Sequence, residues 1–443
     1  MSTLKFTVPG HWARIEQHLR KASGERFAFA LTDVLRNDPN GPVLEVVDVV
    51  LIDDREVHQS THGWSIKDHA LDQVHNRAIT SGRGLVEFHN HYIGPPQFSR
   101  IDETNLEPMA GYVLDLLDGT PYGAAVWAEG SLWAEWWRPT EAGGVERRPF
   151  DTVVSVGTSL RVLNARAVED ERFTRQLPLL GDEAQASIGS LRVALVGAGG
   201  TGSHVAAALA YLGFRNVLIF DDDLVETTNL NRMVTADHAD IGSPKQLVAR
   251  RRMRAIDPLI KVGQRPGITV AEPHPELHDV DLIIGCVDHD GPRHRLNQIA
   301  VDSRVPYLDI ATGADHTAEP AALGGRVVLV LPDGPCLSCL DELDPAEIAR
   351  WAKSAEQQAL DRRHGYGTGS ANPSVVYLNG LTVHAALVEL AAWLSGSRPP
   401  ATWLDVDLVG SARQPGTQVG PRQVAGPREG CIDCGGVRRS RSA

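Results

Sequence analysis

The hydrophobic pattern of the chain changes character twice. Over the first third, short apolar runs stand between glycine and proline breaks: FAFAL at 27–31, LEVVDVVLI at 44–52, GLVEF at 84–88, GAAVWAE at 123–129 and SLWAEWW at 131–137. Runs of this kind, rich in aromatic and β-branched residues, predict strands. SIKDHALDQVHNRAIT, at 65–80, is amphipathic with helical spacing and predicts a helix. Residues 1–163 therefore predict a compact α+β unit. Residues 164–190 are charged and helix-like, suited to a join between domains. From Ser190 the rhythm becomes strand, glycine turn, helix, strand: LRVALVG, TGSHVAAALAYLG, NVLIFD, a helix around SPKQLVARRRMRAIDP, then DLIIGCVD. That alternation predicts a doubly wound, parallel α/β sheet in a second domain, 164–443. VPYLDI, GRVVLVLP and the long apolar helix SVVYLNGLTVHAALVELAAWL continue it. From Val409 the chain turns rich in Gly, Pro and Arg and loses its periodicity, which predicts an extended tail.

The length of 443 residues suits two or three domains, at roughly 100 to 200 residues each. With 42% apolar and 22% charged residues the usage is that of a globular protein, which excludes disordered and fibrous classes. The net charge of -13 argues against nucleic acid or an anionic membrane as the partner. No stretch approaches about 18 uninterrupted apolar residues, and no apolar run follows the N-terminus as in a secretory signal, so a soluble, cytoplasmic protein is expected. Four of the five cysteines form two Cys-x-x-Cys pairs, Cys336/Cys339 and Cys431/Cys434, which read as metal ligands rather than as a disulfide framework. Cys286, inside DLIIGCVD, reads as a small buried hydrophobe. Trp127, Trp133, Trp136 and Trp137 read as packing within the first domain.

VEFHNHYIGPPQFSRIDETN places His89 and His91 two residues apart at the end of an apolar run. Strand geometry points both imidazoles to one face. Asp102 follows after a Gly-Pro-Pro loop and supplies a third, harder ligand. Three protein ligands leave zinc an open position for water, the arrangement of a catalytic site. A helix cap at Ser99 and Asp102 is the structural alternative. The full spacing His-x-His-x7-Ser-x2-Asp resembles the JAMM (JAB/MPN) metalloprotease family, isopeptidases that cut ubiquitin-like proteins from their conjugates. The resemblance implies a catalytic zinc on His89, His91 and Asp102, an oxyanion role for Ser99, and an upstream glutamate that activates the zinc water. Glu25 is placed in that role by context, with Glu56 as the fallback.

In the second domain Gly197, Gly199, Gly200 and Gly202 follow an apolar strand and open a helix, a turn whose backbone N–H groups face phosphate. Asp221 ends the next strand, where a carboxylate meets a ribose hydroxyl. NAD and ATP both fit to this point. Arg232, Lys245 and Asp288 then supply the cations and the carboxylate that a triphosphate with Mg²⁺ requires and hydride transfer does not. The stretch resembles the ThiF/MoeB and ubiquitin-activating-enzyme adenylyltransferase family over residues 170–435. By that resemblance Asp221 and Asp223 belong to the ATP site, with Asp221 on the ribose. Asn229, Arg232 and Lys245 hold phosphates, Asp288 carries Mg²⁺, and Arg175, in ERFTRQLPLLG, reaches into the partner's ATP across a homodimer.

The same family carries paired Cys-x-x-Cys elements around a structural zinc, the role implied for Cys336, Cys339, Cys431 and Cys434. Its thioester-forming members use a cysteine beyond the first pair, whereas residues 340–430 contain none. The chain is thus expected to be a JAMM-type α+β domain followed by a Rossmann-like ATP-binding domain. The pair would release and adenylate the C-terminus of a ubiquitin-like or sulfur-carrier protein. Adenylation of a peptide or carrier in cofactor or natural-product synthesis, and a degenerate binding module, are the alternatives.

Overall fold

In the computed structural model, which describes residues 1–20, 24–60, 63–167, 169–269, 273–315, 322–353, 357, 374–411 and 414–435, the chain divides into two units, Met1–Arg166 and Ala167–Ala443. Unit 1 opens with β1 (Thr3–Phe6), α1 (His11–Leu19), β2 (Phe27–Asp38) and β3 (Gly41–Leu51). A hairpin, β4 (Val57–Ser60) and β5 (Gly63–Ile66), leads into α2 (Asp68–Ser81), β6 (Gly84–Asn90) and α3 (Arg100–Leu116). Then come β7 (Tyr122–Ala128), β8 (Ser131–Pro139), β9 (Val145–Pro149), β10 (Thr152–Val156) and β11 (Leu160–Val162). All but the hairpin join one mixed sheet in the order β11-β10-β1-β3-β2-β6-β7-β8-β9.

Successive strand residues face opposite sides. β2 therefore sends Ala28 and Ala30 to one core with Leu4, Phe6, Trp12 and Phe88. Phe27 and Phe29 go to the other, with Val74, Leu85, Leu106 and Val113. The same alternation along β6 puts Glu87 and His89 on the side of Leu85, beneath α2 and α3. Trp127 and Trp136 belong to the first core and Trp137 to the second, so three of the four clustered tryptophans pack as core.

Unit 2 begins with α4 (Leu177–Leu180), α5 (Asp182–Ser190), β12 (Arg192–Val196), α6 (Gly200–Leu212), β13 (Asn216–Phe220), α7 (Lys245–Ile256) and β14 (Lys261–Arg265). It continues through β15 (Leu282–Gly285), α8 (Asp290–Ser303), β16 (Tyr307–Asp315), β17 (Ala322–Val330), α9 (Pro345–Trp351) and α10 (Val376–Ser395). The last strands are β18 (Trp403–Asp407), β19 (Gly410–Ser411), β20 (Gln414–Pro415) and β21 (Gln418–Pro421). The main sheet has the order β14-β13-β12-β15-β16-β17-β18-β21 and is parallel from β14 to β16. Its strand order reverses between β12 and β15, the crevice in which such sheets bind ligands.

Most of the charged, helix-like segment 164–190 folds into unit 2, with α4 and α5 in it. Phe173 is buried against Gly213, and the side-chain amides of Gln176 and Gln185 both donate to the Leu212 carbonyl at 3.1 Å, so the segment caps the end of α6. The expectation of an extended tail from Val409 is corrected among the described residues, because β21 pairs antiparallel with β18 and completes the sheet edge. The ladder needs only backbone groups there, so the side-chain pattern gave no signal. α10 is long and apolar enough to cross a membrane, but it packs on β16, β17 and α6. Its inner face also carries Glu389, which takes two 2.6 Å bonds from Arg398.

Candidate functional sites in the two units

In unit 1, β6 delivers His89 at its end, and the His91 amide donates to the Trp127 carbonyl at 3.0 Å, which continues the strand direction by one more pair. Between them Asn90 turns the other way and accepts the Arg26 amide at 2.6 Å, tying the strand end to the residue that follows Glu25. α3 starts with a capping box: the Ser99 hydroxyl accepts the Asp102 amide at 3.2 Å, and Asp102 Oδ2 accepts the Ser99 amide at 2.6 Å. The cap and the ligand role coexist. Asp102 Oδ2 also lies 3.1 Å from His91 Nε2 and 3.7 Å from His89 Nε2, and the two Nε2 atoms are 3.3 Å apart. Tetrahedral zinc sets its nitrogen and oxygen ligands about 3.3 Å from one another. The donor set therefore fits zinc in type and spacing. Among the described residues His89 Nδ1 has no hydrogen-bond partner, and the ring is oriented instead between Phe27 and Phe98, at centroid distances of 6.1 and 6.0 Å.

A cavity of about 590 Å³ runs from this triad along α3 and is lined by Glu25, Glu87, His89, Ser99 and Asp102. Burial raises the pKa of Glu25, with the imidazoles of His89 and His91 pulling it back. Burial also opposes the charge on Asp102, yet the hydrogen bonds of His89 and His91 outweigh it and hold that carboxyl well below the usual range. Glu56 is not among the lining residues and binds His69 Nε2 at 2.7 Å. Sequence reasoning missed Glu87, a half-buried glutamate that accepts the Tyr122 hydroxyl at 3.1 Å and whose pKa is raised by desolvation. Its signal was present, since it stands two residues before His89 in an otherwise apolar strand.

In unit 2, Gly197 and Gly202 are required by close backbone approach. A Cβ at Gly197, where φ is +90°, would lie 2.6 Å from the Cys286 carbonyl, and one at Gly202 would lie 1.9 Å from the Gly197 carbonyl. Gly199 caps α6 and Gly200 starts it, so this helix N-terminus opens at the β12/β15 crevice. Asp221, at the end of β13, accepts the Ala198 amide at 2.7 Å and the Asp223 amide at 2.9 Å and so clamps the loop. Burial raises its pKa, with those amides opposing. Lys245 Nζ donates to Asp223 Oδ2 at 2.7 Å. The stem of Arg232 lies over Gly200, 3.0 Å from where a Cβ would stand, and its guanidinium donates to the Thr228 carbonyl at 2.6 Å. Asn229 is buried and accepts the Glu226 amide at 3.0 Å, which makes it a brace of the turn that carries Arg232.

Asp288 follows β15 with its side chain 79% exposed. Arg175 is exposed before α4, and its side chain makes no hydrogen bond or ion pair among the described residues. Asn379 of α10, absent from the sequence reading, is fully buried and reaches the other side of Gly200. Cys286 is corrected in position: β15 ends at Gly285, and the thiol is half-buried beyond it. Burial, then the Asp309 carboxylate, push its pKa far up, so it stays a thiol.

The four remaining cysteines converge. Cys336 Sγ lies 3.7 Å from Cys339 Sγ and 3.6 Å from Cys431 Sγ, and Cys339 Sγ lies 3.3 Å from Cys434 Sγ. Four thiolates on zinc stand about 3.8 Å apart. A redox pair is less consistent with this closed set of four.

The ThiF family model matches residues 173–404. The SAMP-activating enzyme E1 of Haloferax volcanii is 30% identical over 181 residues, 40% of this chain and 64% of that protein. The sulfur carrier protein adenylyltransferase of Thermus thermophilus is 34% identical over 176 residues, 39% of this chain and 64% of that protein. The molybdopterin-synthase adenylyltransferase of Escherichia coli is 31% identical over 176 residues, 39% of this chain and 68% of that protein. The chain thus spans a little under two thirds of the length of the first two relatives.

Proposed function

Because the chain belongs to the ThiF family, we propose that unit 2 uses MgATP to adenylate the C-terminal carboxylate of a ubiquitin-like or sulfur-carrier protein. The observation that carries this reading is the convergence, at the β12/β15 crevice, of the amide-lined glycine turn with Asp221, Arg232 and Lys245. A carboxylate oxygen of the carrier attacks the α-phosphorus of ATP, the bond to the bridging oxygen breaks, and pyrophosphate leaves with the charge. Arg232 and Lys245 neutralise charge on the phosphates, and the α6 N-terminus adds fixed amide donors. Magnesium, held by Asp288, would supply further charge neutralisation. Two chains in the cytoplasm, with Arg175 completing the partner's site, belong to the same proposal.

For unit 1 we propose zinc-dependent hydrolysis of a peptide or isopeptide bond after such a C-terminus, as the JAMM resemblance implies. His89, His91 and Asp102 would hold the ion, which supplies Lewis acidity and acidifies water. The Glu25 carboxylate, which lines the same cavity, takes the water proton and passes it to the leaving amine. The Ser99 hydroxyl stands on the rim of the same cavity as an oxyanion donor. The test of the main reading is exchange of pyrophosphate into ATP by the full chain with a carrier protein ending in Gly-Gly. Exchange that needs the carrier and falls by about 100-fold in Lys245→Ala supports it. Binding of NADH in place of ATP refutes it.

A further inference from the structure

The residue between the last two cysteines does more than space them. Asp433 has a side chain only 3% exposed, and it accepts hydrogen bonds from four directions. The Ser338 hydroxyl, from inside the other Cys-x-x-Cys, donates to it. His294 Nε2 at 3.2 Å, Asn297 Nδ2 at 3.2 Å and Gln298 Nε2 at 3.3 Å approach it from α8. Asn297 also takes the Leu337 amide on its oxygen at 2.9 Å, so this one amide holds both cysteine loops. The pairing cross-links the two loops and fastens them to the middle of α8.

The near end of α8 is fastened by the chain that leaves the first cysteine pair. Asp344 donates its amide to Asp290 Oδ2 at 2.7 Å. Glu347 Oε1 lies 3.1 Å from His289 Nδ1 and accepts the Asp290 amide at 3.2 Å. A Cβ at Gly291 would stand 2.3 Å from the Trp351 ring, so α9 sits directly on the first turn of α8. These contacts grip the residues immediately after Asp288, whose own carboxylate is 79% exposed and has His289 Nε2, at 3.7 Å, as its ion-pair partner among the described residues.

We propose that Asp433 and Glu347 are positioning residues for Asp288: the four-cysteine module and α9 hold α8 in register so that the exposed carboxylate stays aimed at the metal of MgATP. The inference rests on the ATP reading given above. It makes cation use in the nucleotide site depend on the cysteine module, with α8 as the rigid link. Neither residue needs to touch nucleotide.

The experiment is calorimetric titration of the full chain with ATP, with Mg²⁺ and with no divalent cation added, for wild type, Asp433→Asn and Glu347→Gln, with zinc content measured on each sample. The expected result is an affinity for MgATP lowered by about tenfold or more, the range for loss of an outer partner of a metal ligand. Affinity without Mg²⁺ should stay at the wild-type value. Wild-type Mg²⁺ dependence in both variants overturns the proposal. So does a parallel fall with and without Mg²⁺, which signals general loosening of unit 2. If Asp433→Asn loses zinc, Glu347→Gln decides, because it touches no cysteine. A wild-type chain that binds no ATP at all overturns the underlying reading, and the brace with it.

Discussion

Replacing Gly202 by alanine isolates the one requirement that the nucleotide turn places on its own backbone. In a free helix the change is favourable by about 1 kcal/mol, since alanine is the better helix former. Here the new methyl would stand 1.9 Å from the Gly197 carbonyl oxygen. Real contacts of this kind do not fall below 3.0 Å, so the loop or the helix has to give by about 1 Å. The loop has little room to retreat, because Gly197 is itself wedged against the Cys286 carbonyl and donates its amide to Phe220 at 2.9 Å. Overpacking against backbone costs about 1 to 3 kcal/mol, and the upper half of that range lowers the melting temperature by about 5 °C for a unit of this size. A 1 Å shift of phosphate-facing amides costs about 100-fold in rate. Thermal unfolding and pyrophosphate exchange read the two effects separately. Gly199→Ala is the control, with no atom within 4 Å of its Cβ and a negative φ, and its stability should stay within about 0.5 kcal/mol of wild type. A Gly202→Ala chain with wild-type melting and exchange, or a Gly199→Ala chain as unstable as Gly202→Ala, would refute the reasoning.

Three further outcomes are expected. His91→Ala should release one zinc per chain by metal analysis, whereas Glu25→Gln should retain it and lose about 100-fold or more of peptide hydrolysis; retained turnover in Glu25→Gln would remove the proton-transfer role. Burial opposes ionisation of Glu389, but the bonds from Arg398 and the Ala401 amide lower its pKa from 4.5. Its contribution to stability is therefore present above 4.5 and lost as pH falls through the lower folded value, so the melting difference between wild type and Glu389→Gln should be present at pH 7 and shrink in acid. A difference that grows in acid reverses the sign of the argument. Cys286→Ser should leave pyrophosphate exchange unchanged, and intact-mass measurement after incubation with ATP and carrier should show no thiol-sensitive adduct, because the thiol is held protonated by burial and by Asp309. An adduct in wild type that vanishes in Cys286→Ser would contradict that.

The elements that hold both sites were legible because each is encoded in a short window. Alternation in GLVEFHN determines that Glu87 and His89 share a face, and the glycines of GAGGTG announce a turn that a side chain would block. Capping at Ser99 and Asp102 is likewise written in four residues. The limits lie where a residue's partner is far along the chain. Two glutamates qualified for a place beside His89, His91 and Asp102, and only the tertiary structure placed Glu25 at the cavity and Glu56 on His69. Asn379 sits in an apolar helix with no mark to distinguish it, yet the packing of α10 brings it to Gly200. Asp433 looked like spacing between cysteines until the fold closed 136 residues of chain and set it against Asn297. β21 showed no strand pattern because an edge strand can be held by backbone hydrogen bonds that any residue supplies. Local backbone preference and side-chain period depend on neighbours in sequence, and the sequence alone determined them. The choice among chemically equivalent residues depends on which distant surfaces meet when the cores pack, and the tertiary structure decided it.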